Sequence, residues 1–412
     1  MIPCIGAGQL RYKFQLLGKN GKPERAAALK SEKDDQQELL RLTSLPETDL
    51  SRLVAGLILT IKPSTDLRYN IMWAFGDFFA DVPQRLGKND ALDAAAAVLV
   101  SGHNDMCMHK GQVSLRTLRL HGHALSILRA CLNDPVEAQA VNTLCAVYLL
   151  LICQSLTGTW DSWTPSHTEG AVQILRSKNR YGVMDGFEKK LLLTLRGPVI
   201  FEGMFNPRID LSPDEWELLL LDNRKCTRRI DRILVYLADM PSYLRRGTDL
   251  KAGVYSDPNF VEVVRSRYSA IKVSADELHT LLVTFEAEND IQDDNALIHL
   301  TYQRIYGLAL FVTLVLNCLL SALTEPSDLI ALEAEAFAHD VILLAAQSHR
   351  YRPLGSAYIT ICLYGAFAAA RQQTTKNVIF QEIEHYCSDF PPPKDTNHLE
   401  VVENSVRHLT LS

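Results

Sequence analysis

The chain has no CxxC pair. Its nine cysteines stand far apart, at 4, 107, 131, 145, 153, 226, 318, 362 and 387, so neither a zinc ribbon nor a thioredoxin-type redox site is indicated. Basic residues are not in excess either. The formal charge is −6, and with nothing to dominate attraction to phosphates a broad nucleic-acid-binding surface is excluded. Strand-like alternation is missing, and no repeat recurs at a fixed period. The two longest apolar runs, 144–153 and 308–323, fall short of the roughly 20 residues that a membrane span needs, and the second carries Thr313, Asn317 and Ser321. Both are expected to be core helices. No secretory leader is visible, which fits a reducing compartment. The phosphate-cradling GxxxxGK[ST], HExxH and GxSxG are absent, and Gly6-Ala7-Gly8 follows no strand, so it is not a dinucleotide loop.

What remains is helical. With 47% hydrophobic and 22% charged residues, the 412-residue chain has the composition of a soluble globular protein. Its organising stretch runs from Leu67 to His103. An apolar segment (Ile71, Met72, Trp73, Phe75, Phe78, Phe79) carries acids only at Asp77 and Asp81 and breaks at Pro83. A turn over Gly87–Asp90 leads into an alanine-rich helix, with Asn89 as its cap. Alanines 91 and 94 to 97 would let a neighbouring helix approach closely. The expectation is a buried helix–turn–helix corner.

This stretch resembles the regulatory region of the fungal six-cysteine, binuclear-zinc transcription factors. The matching residues are Arg68, Tyr69, Asn70, Trp73, Phe75, Gly76, Val82, Pro83, Arg85, Leu86, Gly87, Ala91, Leu92, Asp93, Ala94 and Ala95. Further similarity lies at His167 with Gly170-Ala171, at Leu195-Arg196-Gly197-Pro198 and at Arg352-Pro353-Leu354-Gly355. Cys4, followed by Arg11 and Tyr12, resembles the segment around the last zinc ligand. Six thiolates hold two zinc ions in that family; only Cys4 is present here, a lone remnant, and no metal site is expected. Either the DNA-reading module has been lost or the sequence starts one exon late.

The resemblance implies an all-α, multi-helix bundle of the fungal regulatory-domain type. Residues 1–30 are then a flexible basic arm, 31–390 the helical regulatory domain and 391–412 a C-terminal extension. It implies a regulator of a fungal metabolic gene cluster, in nucleus or cytoplasm. Such a protein would act through protein contacts, including a homodimer, and through a small apolar ligand between its helices, with no direct DNA or membrane contact and no cofactor.

Along the rest of the chain, helices are expected from Ser31, then over 113–132, 136–156, 167 onwards, 187–195, 261–285, 298–323, 328–347 and 357–370. Gly197-Pro198 is expected to divide two helices. Residues 103–111, 241–258 and the acidic 286–295 are expected to be loops. Leu115, Leu118, Leu125 and Leu128 share one helix face, and Glu333, Glu335 and Asp340 are expected on the water side. Ser166 with Glu169 reads as a capping box, and Ser212-Pro213 with Asp214 and Glu215 as a strong helix start. Arg116, Arg119 and Arg129 are expected to be solvated. The basic run Arg224, Lys225, Arg228, Arg229 and Arg232 reads as a solvated face or as a contact for an acidic or phosphate-bearing partner.

One constellation points to chemistry. Asp77 and Asp81, at i and i+4, would project from one face of an aromatic-rich helix, the way class I terpene cyclases hold magnesium against a diphosphate, since magnesium prefers oxygen ligands. Asn289, Asp290 and Asp293 would supply a second ligand set and Arg350-Tyr351 a diphosphate contact. The pattern departs from the cyclase one at Leu297, where a glutamate belongs. The alternative function is therefore a magnesium-dependent helical enzyme of secondary metabolism. His167 reads as a packed first-turn histidine rather than a catalytic one.

Overall fold

Caps and breaks set the first half of the fold. The computed structural model describes residues 48–62, 66–109, 112–157, 167–177, 185–206, 208–212, 215–216, 219, 229–254, 256–391 and 398–411. These form α-helices and short 3-10 turns, with no strand among the described residues. The basic arm with Cys4, the helix expected from Ser31 up to Glu47, Ser166 and residues 224–228 lie outside them. After α1 (Asp49–Ile61) comes the short α2 (Ile71–Phe75), started by Asn70, whose Oδ1 accepts the Trp73 amide at 2.9 Å. Gly76 ends it at φ +113°, a conformation that residues with a Cβ rarely adopt. The apolar segment expected as one helix is therefore broken. Two 3-10 turns, Asp77–Asp81 and Pro83–Arg85, carry the chain to α3 (Asp90–His109), where Asn89 caps as expected, accepting the Leu92 amide at 2.9 Å.

The alanines do what their size allows. Ala91, Ala95 and Ala96 are fully buried, and α3 packs along α5 (Val141–Thr157), of which 13 residues are buried. Between them α3 runs on to residue 109 instead of yielding a loop at 103. The buried Asp105 explains this: its Oδ2 accepts the Ser114 amide at 2.8 Å and the Thr117 hydroxyl at 2.6 Å. That tie also sets the face of α4 (Leu115–Asn133). Thr117, His121, Ala124 and Leu128 turn inward and Leu125 packs against the core, whereas Leu115 is 71% exposed and Leu118 is also exposed, so only the second half of the expected leucine face is buried. Arg116, Arg119 and Arg129 are solvated as expected. The first core is completed by α6 (His167–Ser177) and by Leu191, Leu192 and Leu195 of α7 (Gly186–Phe205).

Helix α7 also enters the second core. Val199, Ile200 and Met204, beyond Pro198, belong to it. Gly197-Pro198 does not divide two helices, and Pro241 likewise sits inside α8 (Arg229–Lys251), where a loop is expected. An interior proline costs about 3 kcal/mol. Burying an apolar side chain returns roughly 1.5–3 kcal/mol, and Val199, Ile200 and Met204, or Met240, Tyr243 and Leu244, together outweigh the cost. Tertiary packing wins over the local break in both helices.

The second core centres on α10 (Ala296–Leu323), wrapped by α9 (Phe260–Glu288), α11 (Asp328–Ser348), α12 (Ile359–Ala369) and α13 (Gln373–Cys387). Helix α10 is long and apolar enough to cross a membrane, and 78% of its most apolar window is buried in this core. The stretch expected as a C-terminal extension forms α14 (His398–Thr410), which buries Val402 and Leu409 in the same core. The acids of α11 are not on the water side. Glu333 accepts the Tyr268 hydroxyl at 2.7 Å and Lys272 at 2.6 Å, and Glu335 accepts the amides of Arg371 and Gln372. Asp340 is raised in pKa, chiefly by burial.

Candidate functional site

The Asp77–Asp81 segment is a 3-10 turn, with three residues per turn rather than 3.6. Residues four apart are then about 120° out of line, so the expectation that both carboxylates project from one helix face is corrected. Asp77 is exposed, while Asp81 accepts Lys190 Nζ at 2.7 Å. Both acids bear on that ammonium, and the Asp81 hydrogen bond lifts it above the usual lysine range. The aromatic side chains between the two acids, Phe78 and Phe79, point the other way, into the filled first core.

The second half of the constellation is partly assembled. Arg350 Nη2 donates to the Ile291 carbonyl at 3.3 Å, so the acidic loop does meet the 349–351 turn. Asn289, however, donates to the Phe285 carbonyl at the end of α9, and Asp293 is exposed. Among the described residues no hydrogen bond or ion pair links this loop to Asp77 or Asp81. Tyr351 is buried rather than presented to a ligand: its hydroxyl meets His299 Nδ1 at 2.8 Å, and His299 Nε2 meets Glu286 at 2.7 Å. In the neutral imidazole, Nε2–H donates to the carboxylate and Nδ1 accepts the phenol proton. This relay stitches α9 to α10 and to the 349–351 turn. Beside it the Arg304 guanidinium lies 3.9 Å from the Trp73 ring centroid, and Trp73 Nε1 donates to the Gly355 carbonyl at 3.4 Å. An open groove of about 440 Å³ lies elsewhere, on α9, lined by Asn259, Glu262, Val263, Ser266, Arg267 and Ala270.

Three histidines of the first half are kept neutral by burial. His103, His121 and His167 all have lowered pKa values, His167 to about 4, with desolvation the leading cause in each and His121 adding to the depression of His167. Among the described residues, His121 Nε2 and His167 Nε2 have no hydrogen-bond partner. In the unfolded chain these groups take up protons near pH 6.5, whereas the folded chain binds them only at lower pH. Stability is thus fully present above pH 6.5 and falls as pH drops toward 4. We expect a loss on the order of 2 kcal/mol from His167 alone between pH 7 and 5, read as a falling urea midpoint. His167→Gln is expected to flatten that slope; a wild-type midpoint independent of pH over this range would contradict the assignment.

Sequence reasoning missed one cluster. His349, on the 3-10 turn after α11, meets Glu382 and His385 of α13. The available signal was Glu382 and His385 at i and i+3, which places both on one helical face. Elsewhere the capping pair at Ser212 is as expected: Ser212 N donates to Glu215 Oε2 at 2.6 Å, and the Glu215 amide returns to Ser212 Oγ at 3.4 Å. Of the basic run, Arg232 is exposed and stands 4.0 Å from Glu277. Compared with known proteins, the chain matches no family model, no curated protein and no solved structure.

Proposed function

We propose that this chain is a regulatory protein of the transcription-factor type, built on the helical body of the fungal binuclear zinc-cluster factors and acting through helix-mediated protein contacts. The observation that carries the reading is that the residues of the resemblance form the architectural joint. Asn70 caps α2, Gly76 takes the positive φ, and Val82 and Leu86 are buried. Arg85 donates to Asn142 and Asp185 with its guanidinium 3.8 Å from the Phe187 centroid, and Asp93 accepts the Gly87 amide. A resemblance made of such residues is one of architecture, and supports common descent of the body more than a shared reaction.

In this reading the working surface is the outside of the helices. Leu329 and Leu332, at i and i+3 on the first turns of α11, are 66% and 68% exposed, in the manner of anchors for a partner helix. The regulated genes are those of a metabolic cluster, and a small apolar ligand tunes the contact. In the magnesium-enzyme alternative the metal would have to displace Lys190 from Asp81.

The test is a tethered reporter. Fused to a heterologous DNA-binding domain in a fungal reporter strain, the full chain is expected to change transcription several-fold relative to the DNA-binding domain alone. Transcription indistinguishable from that control, with the fusion present at equal level, overturns the proposal.

A further inference from the structure

We infer that His349, Glu382 and His385 form a binding site for a borderline divalent cation of the zinc type. One ligand atom from each lies within 4.8 Å of the others, and His349 Nε2 stands 2.9 Å from Glu382 Oε2. Zinc takes imidazole nitrogens and carboxylate oxygens at about 2.0–2.2 Å, which sets tetrahedral ligand atoms about 3.4 Å apart. Side-chain rotations that change these separations by at most about 1.4 Å bring the three groups to that spacing. Two imidazoles and one carboxylate are a set that holds zinc and leaves a fourth position to water.

The backbone around the cluster is fixed by packing. Tyr386, beside His385, is fully buried and donates to the Ala345 carbonyl at 2.7 Å, which pins α13 to the end of α11 just ahead of His349. The His349 and His385 rings already stand edge to face, 4.7 Å between centroids. His385 keeps both ring nitrogens unbonded among the described residues, and His349 uses only Nε2, toward Glu382. The cluster is partly open to solvent, so a cation can enter without unfolding. A cation stands nearby. Arg352 donates to the His385 carbonyl and stacks over Tyr386, and its charge is met by Asp389 at 2.6 Å. Glu382 therefore remains as the acid facing both imidazoles.

Calorimetric titration of the full chain with zinc chloride at neutral pH is expected to show one site whose affinity falls at least about tenfold in His349→Gln, in His385→Gln and in Glu382→Gln. Circular dichroism of each variant reports that the fold persists, as expected for three side chains outside the packed core. Cobalt loaded in place of zinc is expected to give a ligand-field spectrum without a thiolate charge-transfer band. The inference is overturned if wild type takes up no zinc, if the three variants bind it as wild type does, or if a thiolate band places the metal on a cysteine such as the exposed Cys107.

Discussion

Phe78→Ala is expected to destabilise the protein by about 4 kcal/mol. Phe78 is fully buried, with ring centroids 4.3 Å from Phe79 and 5.3 Å from Tyr148. Removing the ring forfeits its transfer free energy and leaves a cavity between the 3-10 turn and α5, and neither wall can close. The turn is fixed by Gly76 and by Asp81 on Lys190, and α5 is buried on nearly every side. Urea unfolding measures the effect as a lowered midpoint with unchanged slope. Phe78→Leu, which refills much of the volume, should recover more than half of it. A cost below about 1 kcal/mol for the alanine variant would mean that the turn does not dock as described.

Gly355→Ala is expected to cost about 3 kcal/mol, although the change adds one methyl group. Its φ is not in the left-handed region, so backbone conformation is not the cause. A Cβ there would lie 2.7 Å from the Tyr351 carbonyl oxygen and 2.8 Å from that of Leu67. Both are main-chain atoms, held by the Leu354 amide on the Arg68 carbonyl at 3.0 Å and by the tie of Trp73 to Gly355 itself. Neither can swing aside as a leucine tip would. The joint between the central corner and the second core must therefore open. The control is Gly122→Ala on the exposed side of α4, where nothing lies within 4 Å of the added carbon. There helix propensity favours alanine by roughly 0.5–1 kcal/mol. Equal effects of the two substitutions would remove the argument.

Local signals were readable wherever one side chain acts on its own neighbours. Asn89 and the Ser212–Glu215 pair cap as their sequence positions indicate, and the apolar runs of α5 and α10 are buried. The signals that failed are those decided by distant parts of the chain. Pro198 and Pro241 lie inside helices because two cores bury the residues after them. Leu115 faces solvent because Asp105 claims Thr117. The acids of α11 are engaged by Tyr268, Lys272 and the 371–372 amides, which no local periodicity could reveal. The same holds at the sites. The pairing of Asp77 with Asp81 assumed 3.6 residues per turn, and one glycine with positive φ changed the geometry. His349 meets Glu382 and His385 only after α12 has been threaded between them, so just the i, i+3 half of that cluster was visible beforehand.

The proposal to be tested is that the outer helix faces carry the regulatory contact and that the acids of the central corner, of which Asp81 is paired with Lys190, take no part in it. It is tested most directly by two paired variants in the tethered reporter, with circular dichroism confirming that each folds. Leu329→Asp with Leu332→Asp is expected to abolish the transcriptional effect, and Asp77→Asn with Asp81→Asn to leave it intact. Loss of the effect in the aspartate pair, with the leucine pair as active as wild type, would contradict the account.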